Sequence, residues 1–151
     1  MANAEPRAER VPATERWTLW EDARFVVWTT ANPHLPPEEG CHLLVGPKDP
    51  PPHAWADASV TAATFELTAR VCQVLERLGI APWFNLQANG NWGLLPGGSP
   101  HLHVHIYARR PGGTTWAQPV DLPKAPGNFG FAPLDEPTRD RLTAALRETL
   151  G

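Results

Sequence analysis

The segment Ser99-Pro100-His101-Leu102-His103-Val104-His105-Ile106-Tyr107 constrains this chain more than any other. Its alternation predicts a strand over His101–Ala108, in which successive side chains point to opposite faces. His101, His103 and His105 then share one face, and Leu102, Val104 and Ile106 the other. The apolar face must find a core. The histidine face cannot be ordinary core, because adjacent imidazoles are costly to bury without partners. Half of the six histidines in the chain occupy these positions. Two chemistries suit them. One is metal binding, for which imidazole is a common neutral ligand. The other is nucleophilic attack on phosphorus, in which a neutral imidazole forms a phosphoramidate. A hydrogen-bonded polar face without chemistry is the bland alternative.

The rest of the chain supplies the core. A length of 151 residues suits one hydrophobic core. Residues 1–14 read as a flexible arm and residues 15–151 as a single domain. Trp17–Trp20 and Arg24–Thr29 are β-rich and separated by Glu21-Asp22-Ala23, a hairpin pattern. Cys41–Val45 and Trp83–Ala88 read as further strands. The clearest helix spans Ser59 to Leu78, with Val60, Leu67, Val71, Val74, Leu75 and Leu78 on one stripe. Asp57 or Ser59 can cap its start, and Gly79 stands where a C-terminal cap belongs. A closing helix is expected from Pro137 to Leu150, burying Leu142, Ala145 and Leu146. The expected class is α+β: a five-stranded antiparallel sheet with one long helix and a C-terminal helix. Eighteen prolines argue for ordered loops and against a mostly helical fold.

Charge narrows the partners. The formal net charge is −3, and only Lys48 and Lys124 among thirteen basic residues are lysines. No basic block occurs, so a broad nucleic-acid-binding surface is not expected. A phosphate ligand would have to be held locally, by backbone amides and a few polar groups. No apolar run is long enough to span a bilayer, and residues 1–15 lack the apolar stretch of a signal peptide, so the expected address is the cytoplasm. Cys41 and Cys72 lack metal-type spacing. Cys72 reads as a small core residue, and a disulfide between the two stays open. His34 and His53 lie in proline-rich loops and read as solvated or loop-packing residues. Trp17, Trp20, Trp28 and Trp55 read as core or interface residues, and Trp92 as part of a pocket wall.

The alternating segment resembles the histidine-triad family, marked by His-x-His-x-His followed by two apolar residues. The resemblance extends to Asn91-Trp92-Gly93 with Gly97-Gly98-Ser99, and to Gly40-Cys41-His42-Leu43-Leu44-Val45-Gly46-Pro47-Lys48. It covers about residues 17–108. Gly98 stands where the family often has Gln, and the step from Ser99 to His101 is one residue shorter than usual. The resemblance implies a nucleotide hydrolase or nucleotidyl transferase working through a covalent nucleotidyl-histidine. His103 would be the nucleophile, with the His101 carbonyl fixing its tautomer. His105 would contact the phosphate, and His42 would complete a hydrogen-bonded chain. Ser99 would assist the leaving group, Asn91 would contact phosphate or leaving group, and Gly97 and Gly98 would bring backbone amides to the phosphate. Asn32 is the candidate for ribose binding. His105, rather than Gln, favours the hydrolase branches. The implied substrate is a dinucleoside polyphosphate or a nucleoside phosphoramidate. The implied assembly is a homodimer, with no cofactor and no metal. Two alternatives stand beside it: a histidine-ligated, cupin-like metalloprotein, and a nucleotide-binding module without activity. Against the first, Tyr107–Gly113 holds no carboxylate and no histidine follows His105.

Overall fold

A computed structural model describes residues 15–114, 116–121 and 129–151. The expected arm, residues 1–14, lies outside the described residues. Five strands, β1 (Arg16–Glu21), β2 (Phe25–Thr30), β3 (Gly40–Pro47), β4 (Trp83–Gln87) and β5 (Val104–Arg109), form one antiparallel sheet. Their order is β1-β2-β3-β5-β4, so the histidine strand lies between β3 and β4. The two helices are α1 (Ala58–Arg77) and α2 (Glu136–Leu150). This is the α+β class that the sequence predicts.

The β1–β2 turn forms because the Asp22 carboxylate accepts the amides of Arg24 and Phe25. Such Asp side chains mimic a backbone turn. Along β3, Cys41, Leu43 and Val45 enter the core, while His42 and Leu44 face the other way. Gly40 begins β3 at φ +151°, and a Cβ there would meet the Ala108 carbonyl at 1.6 Å, so only glycine lets these strands close up.

Helix α1 starts where Asp57 Oδ1 accepts the amides of Ser59 and Val60. It stops at Gly79, φ +69°, where Gly79 N–H donates to Glu76 and Ile80 N–H to Leu75. That paired arrangement is a Schellman cap. The buried stripe contains Leu67, Val71, Val74 and Leu75 as expected, but also Thr64 and Thr68. The threonines fit because their hydroxyls donate to the carbonyls of Val60 and Thr64 one turn back. Helix α2 is capped by Asp135 and carries Pro137 in its first turn.

Helix α1 packs on β3 and β5, and α2 on β1 and α1, so one sheet face is covered. The core there comprises Leu19, Phe25, Val27, Leu43, Val45, Ile106, Ala108, Val71, Leu75, Leu142 and Leu146 among others. Among the described residues, no helix is long and apolar enough to cross a membrane. Cys41 and Cys72 are both free, and burial pushes each thiol up to about 12.

The structure corrects two expectations. The triad strand begins at Val104, not His101. Leu102 and His103 still lie against Gly46 of β3, but the Leu102 amide donates to the Pro51 carbonyl in a proline-rich loop instead of to the ladder. Of the two places expected for Trp55, core or interface, the core is excluded: it is 82% exposed, because its short turn, Ala54–Ala56, buries nothing. Trp20 and Trp28 are buried, and Trp17 is half-buried beneath the Arg139 guanidinium.

Candidate active site

The uncovered sheet face carries the site. Period-two geometry places His103, His105, Tyr107 and Arg109 of the β5 segment on this face, beside His42 of β3. The loop between β2 and β3 folds back over them and buries His34, which is only 7% exposed. This corrects the expectation that His34 is solvated. Its ring lies 4.3 Å from that of His42 and 5.3 Å from that of His105, with Trp92 and Phe129 closing around it.

The hydrogen bonds fix every tautomer in a continuous chain. The His34 backbone N–H can only donate, so His42 Nδ1 accepts it, at 3.2 Å. His42 therefore carries its proton on Nε2 and donates to His105 Nδ1 at 2.8 Å. His105 in turn donates from Nε2 to His103 Nε2 at 3.0 Å. His103 then holds its proton on Nδ1, which donates to the His101 carbonyl at 3.0 Å. The outcome is an unprotonated Nε2 on His103. A side branch supports the chain. Asn89 donates to the Tyr107 hydroxyl, which donates to His34 Nδ1 at 2.8 Å.

Electrostatics keep the cluster neutral. Burial, then His105, His34 and His103, lower the His42 pKa well below 6.5. Burial followed by His103 and His34 lowers His105 to about 2, and burial followed by His103 lowers His34 to about 4. Burial and His101 lower His103, against the opposing pull of the His101 carbonyl. Burial raises the Tyr107 phenol, so it stays a donor.

A cavity of about 430 Å³ opens beside His103. Pro100, His101 and His103 line one side, Pro52 to Trp55 another, and Ala88, Gly90, Asn91 and Leu94 the third. Trp28 stands 6.5 Å from the His103 ring on the opposite flank.

The expected site residues do not all converge. His42, His101, His103 and His105 form one cluster, and Asn91 lines the same cavity. Ser99 is exposed and not among the cavity's lining residues; its carbonyl accepts a hydrogen bond from His101 Nδ1 at 3.0 Å. Gly97, at φ +80°, and Gly98 form a turn in which the Gly98 amide donates to Leu95. That amide is already engaged, and Gly98 instead packs its α-carbon against the Gly93 carbonyl. Asn32 lies outside the cavity lining and accepts the Phe129 amide at 2.9 Å, which steadies the segment against His34.

A metal could draw on His34, His42 and His105, whose ligand atoms lie within 4.8 Å of one another. The His42 and His105 ring nitrogens are, however, donor and acceptor to each other, the His34 Nδ1 is bonded to the Tyr107 hydroxyl, and the His34 ring stacks on that of His105. Stacked rings hold in-plane lone pairs side by side rather than aimed at one point, so the set suits a hydrogen-bonded chain better than an ion.

Reasoning from sequence alone misses His34, Tyr107 and Asn89. Tyr107 was within reach, since the same alternation places it on the histidine face. For His34 the sequence offers no signal.

No protein-family model matches the chain, and no curated protein sequence does. Solved structures do. A histidine triad protein from Bradyrhizobium japonicum superposes with TM-score 0.61 at 24% identity, covering 90% of this chain and 91% of that one. A hypothetical histidine triad nucleotide-binding protein from Sulfolobus tokodaii gives 0.59 at 23%, covering 90% and 84%. A zinc-bound histidine triad family protein from Mycobacterium smegmatis gives 0.58 at 21%, covering 87% and 84%. The chain has the histidine triad fold.

Proposed function

We propose that this chain is a histidine-triad nucleotide hydrolase or nucleotidyl transferase acting at the α-phosphate through a nucleotidyl-histidine. The observation that carries the reading is the unprotonated Nε2 of His103, set by the hydrogen-bonded chain and bordering a cavity. The lone pair of that nitrogen forms the N–P bond. The bond from phosphorus to the leaving group breaks, and the leaving group departs with the electron pair and takes up a proton from water. The Nε2–H of His105, which meets His103 Nε2 at 3.0 Å, turns to a phosphoryl oxygen as charge develops there. Water then attacks phosphorus and gives up one proton to solvent, replacing the one the leaving group took, while the N–P bond breaks and His103 recovers its lone pair. With an alcohol or amine in place of water the same steps give transfer. Asn91 is assigned to the phosphate or leaving group. The substrate class is a dinucleoside polyphosphate or a nucleoside phosphoramidate.

Incubation with a nucleoside phosphoramidate labelled at phosphorus, followed by an alkaline quench, should trap an acid-labile adduct. Peptide mapping should place it on His103. Absence of any adduct, or stoichiometric metal bound to His34, His42 and His105, would sink the reading. We also propose a homodimer. The edge strand β4 leaves Trp83 62% and Leu86 39% exposed, an apolar edge that a second copy would cover. Sedimentation velocity at micromolar concentration should give a species of twice the chain mass. A lone monomer would refute the pairing.

A further inference from the structure

The cavity beside His103 has walls that the chemistry above leaves unused. The lining includes the Pro52–Trp55 segment and Leu94. Trp55 is 82% exposed and Leu94 75% exposed. Large apolar side chains held this far into solvent bury little of their own chain, and Trp55 sits in a turn with no buried residue. Trp55 is nevertheless oriented. Its indole stacks on the His53 imidazole, with ring centroids 4.2 Å apart and planes 19° from parallel. His53 also has unused hydrogen-bonding capacity, since its Nδ1 is buried with no partner among the described residues.

We propose that this cavity is the leaving-group subsite, and that the stacked His53–Trp55 pair is a platform for a planar, uncharged aromatic ring. The inference rests on the reading of His103 as the nucleophile. Three observations favour this occupant. The cavity volume, about 430 Å³, falls in the range of small-molecule sites and exceeds what a phosphate alone needs. No Lys, Arg, Asp or Glu is among the described residues lining it. A polyphosphate arm would bring several charges into it without a cation to meet them. An aromatic leaving group would instead stack on the pre-oriented indole in a cavity that Leu94 also lines, and a ring N–H on it would meet His53 once that imidazole turns over. Trp55 is therefore a specificity-determining residue that chooses among leaving groups.

The test has a binding arm and a turnover arm. Indole titrated into the wild-type protein is expected to shift the Trp55 Nε1–H and His53 ring NMR signals to saturation. Trp55→Ala is expected to weaken this binding by at least about threefold. In the second arm, two phosphoramidates of one nucleotide are compared, bearing naphthylmethylamine or methylamine. Trp55→Ala should lower kcat/KM for the first by about tenfold and leave the second within about twofold. Equal losses for both substrates, or indole binding untouched by the substitution, would overturn the platform. If indole binds at Trp55 but neither phosphoramidate turns over, the aromatic site stands and the catalytic reading falls.

Discussion

Replacing His103 with alanine should remove turnover by a factor of about 10⁴ or more, the usual scale for loss of a catalytic nucleophile. The substitution deletes the cavity-lining nitrogen whose lone pair is set by the imidazole chain running from His42 through His105. Neither His105 nor His42 can take its place. His105 presents a protonated Nε2 to the site, and His42 is fully enclosed behind it. The protein should still fold, since His103 is only partly buried and belongs to no core cluster. His101→Ala makes the matching control. Its contribution to His103 runs through the main-chain carbonyl, which alanine keeps. A loss of less than about tenfold is expected there, well short of the His103 effect. Rates from both variants, with circular dichroism to confirm folding, decide the matter. If His103→Ala keeps wild-type rates, the nucleophile lies elsewhere.

Mild acid should unfold the chain at a pH where ordinary carboxylates are still ionised. His34, His42 and His105 are each held below their unfolded value of 6.5. At pH 7 these groups are neutral in both states and add no pH dependence. As pH falls through 6.5 the unfolded chain takes up their protons while the native chain does not, so stability drains toward the unfolded side. Three such groups give a slope on the order of 4 kcal/mol per pH unit between pH 6 and 5. That is comparable to the whole net stability of a small domain, roughly 5–15 kcal/mol. For His34 the loss levels off near pH 4, where its native form also protonates. Urea midpoints at pH 7, 6 and 5 should fall steeply, and His34→Phe should flatten the slope by about a third. A midpoint that holds constant from pH 7 to 5 would mean that the imidazoles are not buried as described.

The sequence was legible where local rules act alone. Alternation gave the faces of β5 from Val104 onward but set its start three residues early, and the Asp57 and Gly79 caps bounded α1 to within a residue. Strand order is not local. Nothing near residue 104 says that β5 enters between β3 and β4, because its pairing with β3 joins residues as distant as Gly40 and Arg109. His34 was missed for a related reason. Its burial depends on the β2–β3 loop closing over a face built from β3 and β5, and the loop itself reads only as proline-rich. The Gly97–Gly98 pair read as a phosphate cradle, but its chemistry equally suits a tight turn after Pro96, and the turn is what forms. Trp55 reads as core or interface because tryptophan carries a large apolar surface, and the geometry places it outside the core of this chain.

The position of β5 has a consequence for assembly. Strands β3 and β4 never touch each other; each reaches the other only through residues 104–109. A nascent chain that has not yet delivered those residues has an open slot in its sheet, and His42 there lacks His105, the acceptor of its Nε2–H. Closing the slot completes the sheet and wires the reactive nitrogen in a single event, so a half-made protein carries no armed nucleophile.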